Sequence, residues 1–173
     1  NRRRYGGYVV HASVVLLAIG VVGSSAYDTV RERMLSPGQS MAVADYDLTY
    51  RRLVEREGPN ATEIRAVMDV RRGDRSLGTL ESGKNDYRAE QQVSNEVGIR
   101  SDYLTGEDLF VITDQINSGG TVVFKVLVKP LVNLIWLAGF VFVVGSLIVL
   151  WPSAAEQRRL AARYRELRAL ARA

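Results

Sequence analysis

The chain has 173 residues, 47% of them hydrophobic and 24% charged, with a formal charge of +4, one histidine and no cysteine. That length holds one ordinary domain, and the lack of cysteine excludes a disulfide framework, a thiolate metal site, a cysteine nucleophile and a haem attached to a Cys-x-x-Cys-His motif of its own. The averages describe a soluble protein, but the apolar residues are concentrated. Residues 8–27 and 130–151 are nearly free of charge, and each is about the 20 residues that cross a bilayer as a helix.

Charge read by segment supports a membrane protein. Arg2, Arg3 and Arg4 precede the first apolar run, the segment between the runs holds 14 basic and 17 acidic residues, and six arginines stand against two glutamates after Trp151. The positive excess lies only where the chain leaves the membrane, which argues against nucleic acid as a partner. Arginine-flanked short tails place both ends in the cytoplasm and the middle segment on the opposite side.

The first span is bounded by Tyr5 and Tyr8 on its basic side and by Tyr27-Asp28 on the other, with Tyr8 and Tyr27 about 28 Å apart at helical rise. The arginines, an apolar run and Ser24-Ser25-Ala26 also resemble a secretory signal with its cleavage site. The length of the run and the histidine within it stand against that reading. The opening Asn1-Arg2-Arg3-Arg4, without an initiator methionine, is expected to be a piece of something longer.

His11 lies three residues beyond Tyr8, about 4 to 5 Å into the apolar layer. An ionisable side chain there is costly, and even the neutral ring needs a partner for its N–H. It is expected to face other helices. Three roles stay open for it: a structural hydrogen bond, axial ligation of haem iron, and proton transfer. Gly20 and Gly23 on the same span permit close approach of a neighbour.

Beyond Leu35 the pattern changes to short alternating runs, which predict antiparallel strands at 40–52, 62–71, 76–80, 93–100, 108–115 and 121–128. Turn chemistry separates them at Gly58-Pro59-Asn60, Gly73-Asp74, Ser82-Gly83-Lys84-Asn85 and Asn117-Ser118-Gly119-Gly120. Asp45, Asp47, Asp69, Asp86 and Asp102 read as solvated strand faces, and Tyr46, Tyr50, Tyr87 and Tyr103 as strand packing.

The second span starts at Lys129-Pro130, where proline suits a first turn, carries the polar Asn133 near its outer end, and ends at Trp151-Pro152. Ser153-Ala154-Ala155-Glu156 has the pattern of a capping box, and Leu160, Tyr164, Leu167 and Leu170 follow at helical spacing among arginines. Such a helix rests on anionic head groups or binds a partner.

The expected fold is an α+β membrane protein in which two transmembrane helices flank a small all-β, barrel- or sandwich-like extracytoplasmic domain. Its segments are a cytoplasmic basic flank at 1–7, a transmembrane helix at 8–27, a periplasmic β-rich domain at 28–129, a second transmembrane helix at 130–151 and a cytoplasmic Arg-rich amphipathic helix at 152–173.

Six motifs in order resemble the carboxyl-terminal part of the CcmF family, haem-lyase subunits of bacterial cytochrome c maturation. They are Gly6-Gly7-Tyr8-Val9-Val10-His11, Leu35-Ser36-Pro37-Gly38, Gly58-Pro59-Asn60, Ser94-Asn95-Glu96-Val97-Gly98-Ile99, Glu107-Asp108-Leu109-Phe110-Val111 and the stretch from Lys129 to Gly139. The resemblance implies a multi-span protein of the bacterial inner membrane that takes haem from the chaperone CcmE, acts with CcmH- and CcmI-type subunits, and joins haem vinyl groups to the Cys-x-x-Cys-His thiols of apocytochrome c. It also implies a b-type haem in the membrane that reduces the substrate haem, with His11 matching one of its axial ligands.

The family's tryptophan-rich haem-binding loop, its outward-facing histidines and the second membrane histidine are expected in a portion preceding this chain. The enzyme would therefore have no complete active site here, and no catalytic residue is carried over. Glu81-Ser82-Gly83-Lys84 stands where the family usually has a proline and arginine, so no role is assigned to that stretch. Two other functions compete: a noncatalytic membrane-anchored periplasmic adaptor for protein assembly, and a sensor signalling through the Arg-rich tail.

Overall fold

In the computed structural model, helix α1 (Arg2–Ala26) is followed by nine strands and by helices α2 (Val132–Leu150) and α3 (Ala154–Leu170). The structure describes residues 2–89, 91–103, 105–151 and 154–170. Ile19–Ile135 forms one compact unit, and Asn1–Ala18 with Trp136–Ala173 forms another.

Both α1 and α2 are long and apolar enough to cross a membrane, with mean hydropathy of 2.0 and 2.4 over their most apolar windows. Their large apolar side chains stay exposed, Val15, Val22, Phe140 and Leu147 among them. That is the pattern where lipid takes the place of a protein core. Helix α1 reaches back through the basic flank, where Arg4 Nε donates to the Tyr8 hydroxyl at 2.8 Å. Helix α2 starts two residues later than the sequence suggested. Lys129 is still paired with Asp108 in a sheet, so Pro130 falls in the turn and Leu131 takes φ +61° before the first helical residue. In α3, Leu160, Tyr164, Leu167 and Leu170 are all exposed; Ser153 of the expected capping box lies outside the described residues.

The β domain is a sandwich of two antiparallel sheets. One, in the order β1-β9-β8-β7, is built from Thr29–Leu35, Val122–Lys129, Glu107–Ile116 and Gly98–Asp102. The other, β2-β3-β4-β5-β6, is built from Ser40–Val43, Tyr46–Glu57, Ala61–Arg72, Arg75–Tyr87 and Gln92–Glu96. Alternation along the strands turns Leu48, Tyr50, Met68 and Val70 of one sheet toward Leu109, Val111, Phe124 and Val126 of the other, and all eight are fully buried. Tyr50 and Phe124 meet edge-on with ring centroids 5.1 Å apart. The Tyr50 hydroxyl donates to Gly120 O at 2.9 Å, so its polar end is satisfied. Ser82 and Thr113 share a buried 2.8 Å hydrogen bond from β5 to β8, a polar link between the sheets.

Four details differ from the strand expectations, each for a local reason. The stretch 40–52 is two strands, because Ala44 takes φ +49° and turns the chain between β2 and β3. Strand β1 carries no alternating burial, since only Leu35 of its seven side chains is buried, and its pattern gave no signal. The expected turn at Ser82-Gly83-Lys84-Asn85 is the interior of β5. Gly83 stands there because β4 runs so close that a Cβ would come within 1.9 Å of Ile64 O. Finally, 93–100 divides at Val97, where the chain leaves one sheet for the other and Gly98 packs its backbone against Glu81 O, 2.6 Å from an added Cβ.

Two substitutions check these assignments by thermal unfolding in detergent, followed by far-UV circular dichroism. Gly83→Ala is expected to destabilise the β domain by about 3 kcal/mol or more, because the clash is with backbone; a turn at 82–85 would leave it nearly neutral. Ala44→Gly is expected to stabilise by about 1 kcal/mol, by relieving a left-handed alanine.

A membrane histidine groove and an arginine-centred cluster

His11 sits one helical turn after Gly7, and its Nδ1 lies 2.8 Å from Gly7 O. A carbonyl only accepts, so Nδ1 is the donor, which in the neutral tautomer leaves the Nε2 lone pair free. The ring is exposed and, with Gly7, Val10, Ser146, Val149 and Leu150, lines a mostly apolar groove of about 370 Å³ between α1 and α2.

Small residues bring the helices together beside the ring. A Cβ on Gly6 would lie 2.7 Å from Val149 Cγ2, and one on Gly145 would lie 2.9 Å from Val10 Cγ2. Gly7 is different, since a Cβ there would meet nothing within 4 Å. Gly6 and Gly145 therefore serve close packing, whereas Gly7 leaves room in the groove. Gly20 and Gly23, singled out from sequence, pack against Ile135 and Leu131. A neutral imidazole with one free lone pair in an apolar groove can ligate a metal or accept a proton.

A second constellation lies in the β domain and was missed in sequence. Arg72, at the end of β4, reaches Asp102 Oδ2 at 3.2 Å, Thr105 Oγ1 at 3.2 Å, Glu107 Oε2 at 3.1 Å and Asp45 Oδ2 at 3.4 Å. Its guanidinium also stacks over the Tyr46 ring, 5.1 Å from the centroid. Burial opposes the charge on Arg72, but Tyr46, Glu107 and Asp45 outweigh it, and the net effect raises its pKa. Burial likewise pushes the Tyr46 and Tyr50 phenols above 10.0. The partners of Arg72 come from separate elements, so no spacing announces them.

The cluster fastens the five-stranded sheet to the β7–β8 turn of the other. Asp45 and Asp102, read as solvated acids, belong to it, and Asp69 pairs with Arg51. Tyr46 and Tyr50 are core residues as expected, but Tyr103 is not strand packing. It stands in a turn and is 82% exposed. Among the described residues no group of three or more His, Cys, Asp or Glu side chains is arranged to hold a metal ion.

Residues 26–130 match the family described as the CcmF C-terminal beta-sandwich. The chain belongs to the CcmF family. It is 30% identical over 148 residues to the cytochrome c-type biogenesis protein CcmF of Pseudomonas fluorescens, covering 86% of this chain and 22% of that protein. Against CcmF of Pseudomonas aeruginosa the figures are 29% identity, 84% and 22%, and against NrfE of Haemophilus influenzae 24%, 90% and 24%. The fold is similar to that of a solved cytochrome c haem lyase CcmF, with a TM-score of 0.73 at 23% identity over 88% of this chain and 25% of that one. The chain thus spans between a fifth and a quarter of the length of these relatives.

Several motifs that carried the CcmF resemblance occupy places where the chain changes course. Leu35-Ser36-Pro37-Gly38 leads from β1 to β2, Gly58-Pro59-Asn60 joins β3 to β4, and Val97-Gly98 is the change of sheet. Arg72→Ala leaves three carboxylates facing one another and is expected to destabilise the β domain by about 2 kcal/mol. Arg72→Lys is expected to recover less than half of that loss, because an ammonium holds its donors on one atom and cannot span acceptors that Arg72 reaches from two separate nitrogens. Urea denaturation of the two variants in the same detergent checks both.

Proposed function

We propose that the chain forms part of a membrane haem lyase of cytochrome c-type biogenesis, with His11 as one axial ligand of a b-type haem held within the membrane. The observation that carries this reading is the state of the imidazole. Its Nδ1 proton is committed to Gly7 O, and its Nε2 lone pair belongs to a ring exposed in an apolar groove. A hydrogen bond from the second ring nitrogen to a backbone carbonyl is the usual support of a histidine that ligates metal. The same bond runs along α1 itself, so it does not join α1 to a neighbour, and this counts against a purely structural role.

His11 would supply the ligand atom, Gly7 the open space for the edge of a flat ring, and Val10, Val149 and Leu150 the apolar wall. Haem bound there supplies a one-electron donor for the iron of the substrate haem. The Gly7 carbonyl fixes the rotation of the imidazole and raises its basicity, and the wall keeps water away and tunes the potential. This sequence holds one histidine, so a bis-imidazole site would take its second ring from outside it.

The lyase reaction adds the two thiols of a Cys-x-x-Cys-His motif in apocytochrome c across the vinyl groups of haem delivered by CcmE, in company with CcmH- and CcmI-type subunits. In that reaction the β domain docks a partner or closes over the haem site. The arginine flanks support a topology with both tails in the cytoplasm and the β domain on the periplasmic side of the inner membrane.

Absorption spectra of the purified full-length protein test the assignment. His11→Ala is expected to abolish the low-spin bis-imidazole haem signal, to leave far-UV circular dichroism unchanged, and to lower cytochrome c maturation by about tenfold or more. A spectrum unchanged in the variant rules out ligation by His11, and a colourless wild-type preparation favours the adaptor.

A further inference from the structure

Asn133, the second residue of α2, donates from Nδ2 to the backbone oxygen of Asp102 at 3.4 Å. The contact joins the start of α2, a helix long and apolar enough to cross a membrane, to the β7–β8 turn. It also accounts for the polar residue noted at the outer end of the span. The turn is closed by Gly106 N donating to Asp102 O at 2.9 Å, with Gly106 at φ +75°.

Tyr103 follows Asp102 in this turn and, at 82%, is the most exposed large hydrophobic residue among those described. Tyr27, at the other junction of the β domain with a membrane helix, is 74% exposed. An exposed tyrosine in water gains nothing from its ring, whereas at a membrane surface the ring enters the acyl boundary and the hydroxyl stays among head groups. The neighbouring carboxylate does not oppose this. Asp102 is held by Arg72 at 3.2 Å, so its charge is compensated on the side of the sandwich.

We propose that the β7–β8 turn is a membrane-interface anchor: Tyr103 inserts its ring at the head-group boundary beside α2 and, together with Tyr27, sets the height of the β domain above the bilayer. The layer to be crossed is about 5–7 Å on each face of the hydrocarbon, within reach of one tyrosine side chain. The occupant of this surface is lipid, because the turn is bonded to the first turn of a helix long and apolar enough to cross a membrane. The inference does not depend on His11 or on haem.

The sequence contributes no cysteine, so Tyr103→Cys in the full-length protein, with any cysteine outside this sequence replaced by serine, carries a single nitroxide label. Ser118→Cys is the control. It lies in the exposed β8–β9 turn at the far end of that hairpin, about 30 Å away along the strands. In vesicles of phosphatidylcholine and phosphatidylglycerol, electron paramagnetic resonance power saturation compares access of oxygen with access of a water-soluble nickel chelate. At position 103 oxygen access is expected to exceed nickel access severalfold, with the order reversed at 118. A label at 103 as open to nickel as that at 118 overturns the anchor in favour of water. A label immobilised and shielded from both reagents overturns it in favour of a protein cover.

Discussion

The antiparallel pairing of β1 with β9, from Thr29 opposite Val128 to Leu35 opposite Val122, fixes where both membrane helices meet the β domain. Helix α1 ends at Ala26 and α2 begins at Val132, only a few residues beyond the paired strands. The strand pair therefore continues into a helix pair, and the helix ends have to approach as closely as the strands demand. Gly20 and Gly23 permit that approach. A Cβ on Gly23 would lie 2.5 Å from Leu131 Cδ1, and one on Gly20 2.9 Å from Ile135 Cγ1. Each glycine costs about 1 kcal/mol of helix propensity, a loss that close packing of small residues offsets in a membrane.

This constraint explains which parts of the fold were legible in the sequence. The two spans declared themselves by length and lack of charge, and β4, β8 and β9 by alternation against a buried face. Strand β1 did not, because it is an edge strand whose Val30, Glu32 and Met34 are as exposed as Arg31 and Arg33. What specifies β1 is its partner, and pairing across a long separation leaves no local mark. Gly83 misled for a related reason. Glycine signals a turn when its backbone freedom is used, but here it marks the close approach of a neighbouring strand.

The candidate sites divide in the same way. His11 was conspicuous because a polar residue inside an apolar run is costly wherever it points, whereas the role of Gly7 at the preceding turn came only with the structure. Arg72 was invisible, because Asp45, Asp102 and Glu107 each look like a solvated acid until the two sheets and a turn bring them to one guanidinium. With Asn133 bonded to the Asp102 backbone and Arg72 to its side chain, a single residue is tied both to the base of α2 and to the opposite sheet. The β7–β8 turn is thus bonded to the first turn of the helix that follows β9.

The two sites also differ in how far their polar groups are satisfied. Around Arg72 each group has a partner, the surroundings are partly wet, and the constellation is complete as it stands. The His11 ring is half complete. Gly7 O satisfies one nitrogen at no cost to the helix, since a carbonyl with two lone pairs can accept both a side chain and the backbone. The ring lines an exposed, mostly apolar groove, and in hydrocarbon a polar group without a partner costs about 2–7 kcal/mol relative to water. Gly6 and Gly145 pack tightly whereas Gly7 leaves room in the same groove, and the proposed ligation through Nε2 would remove this cost.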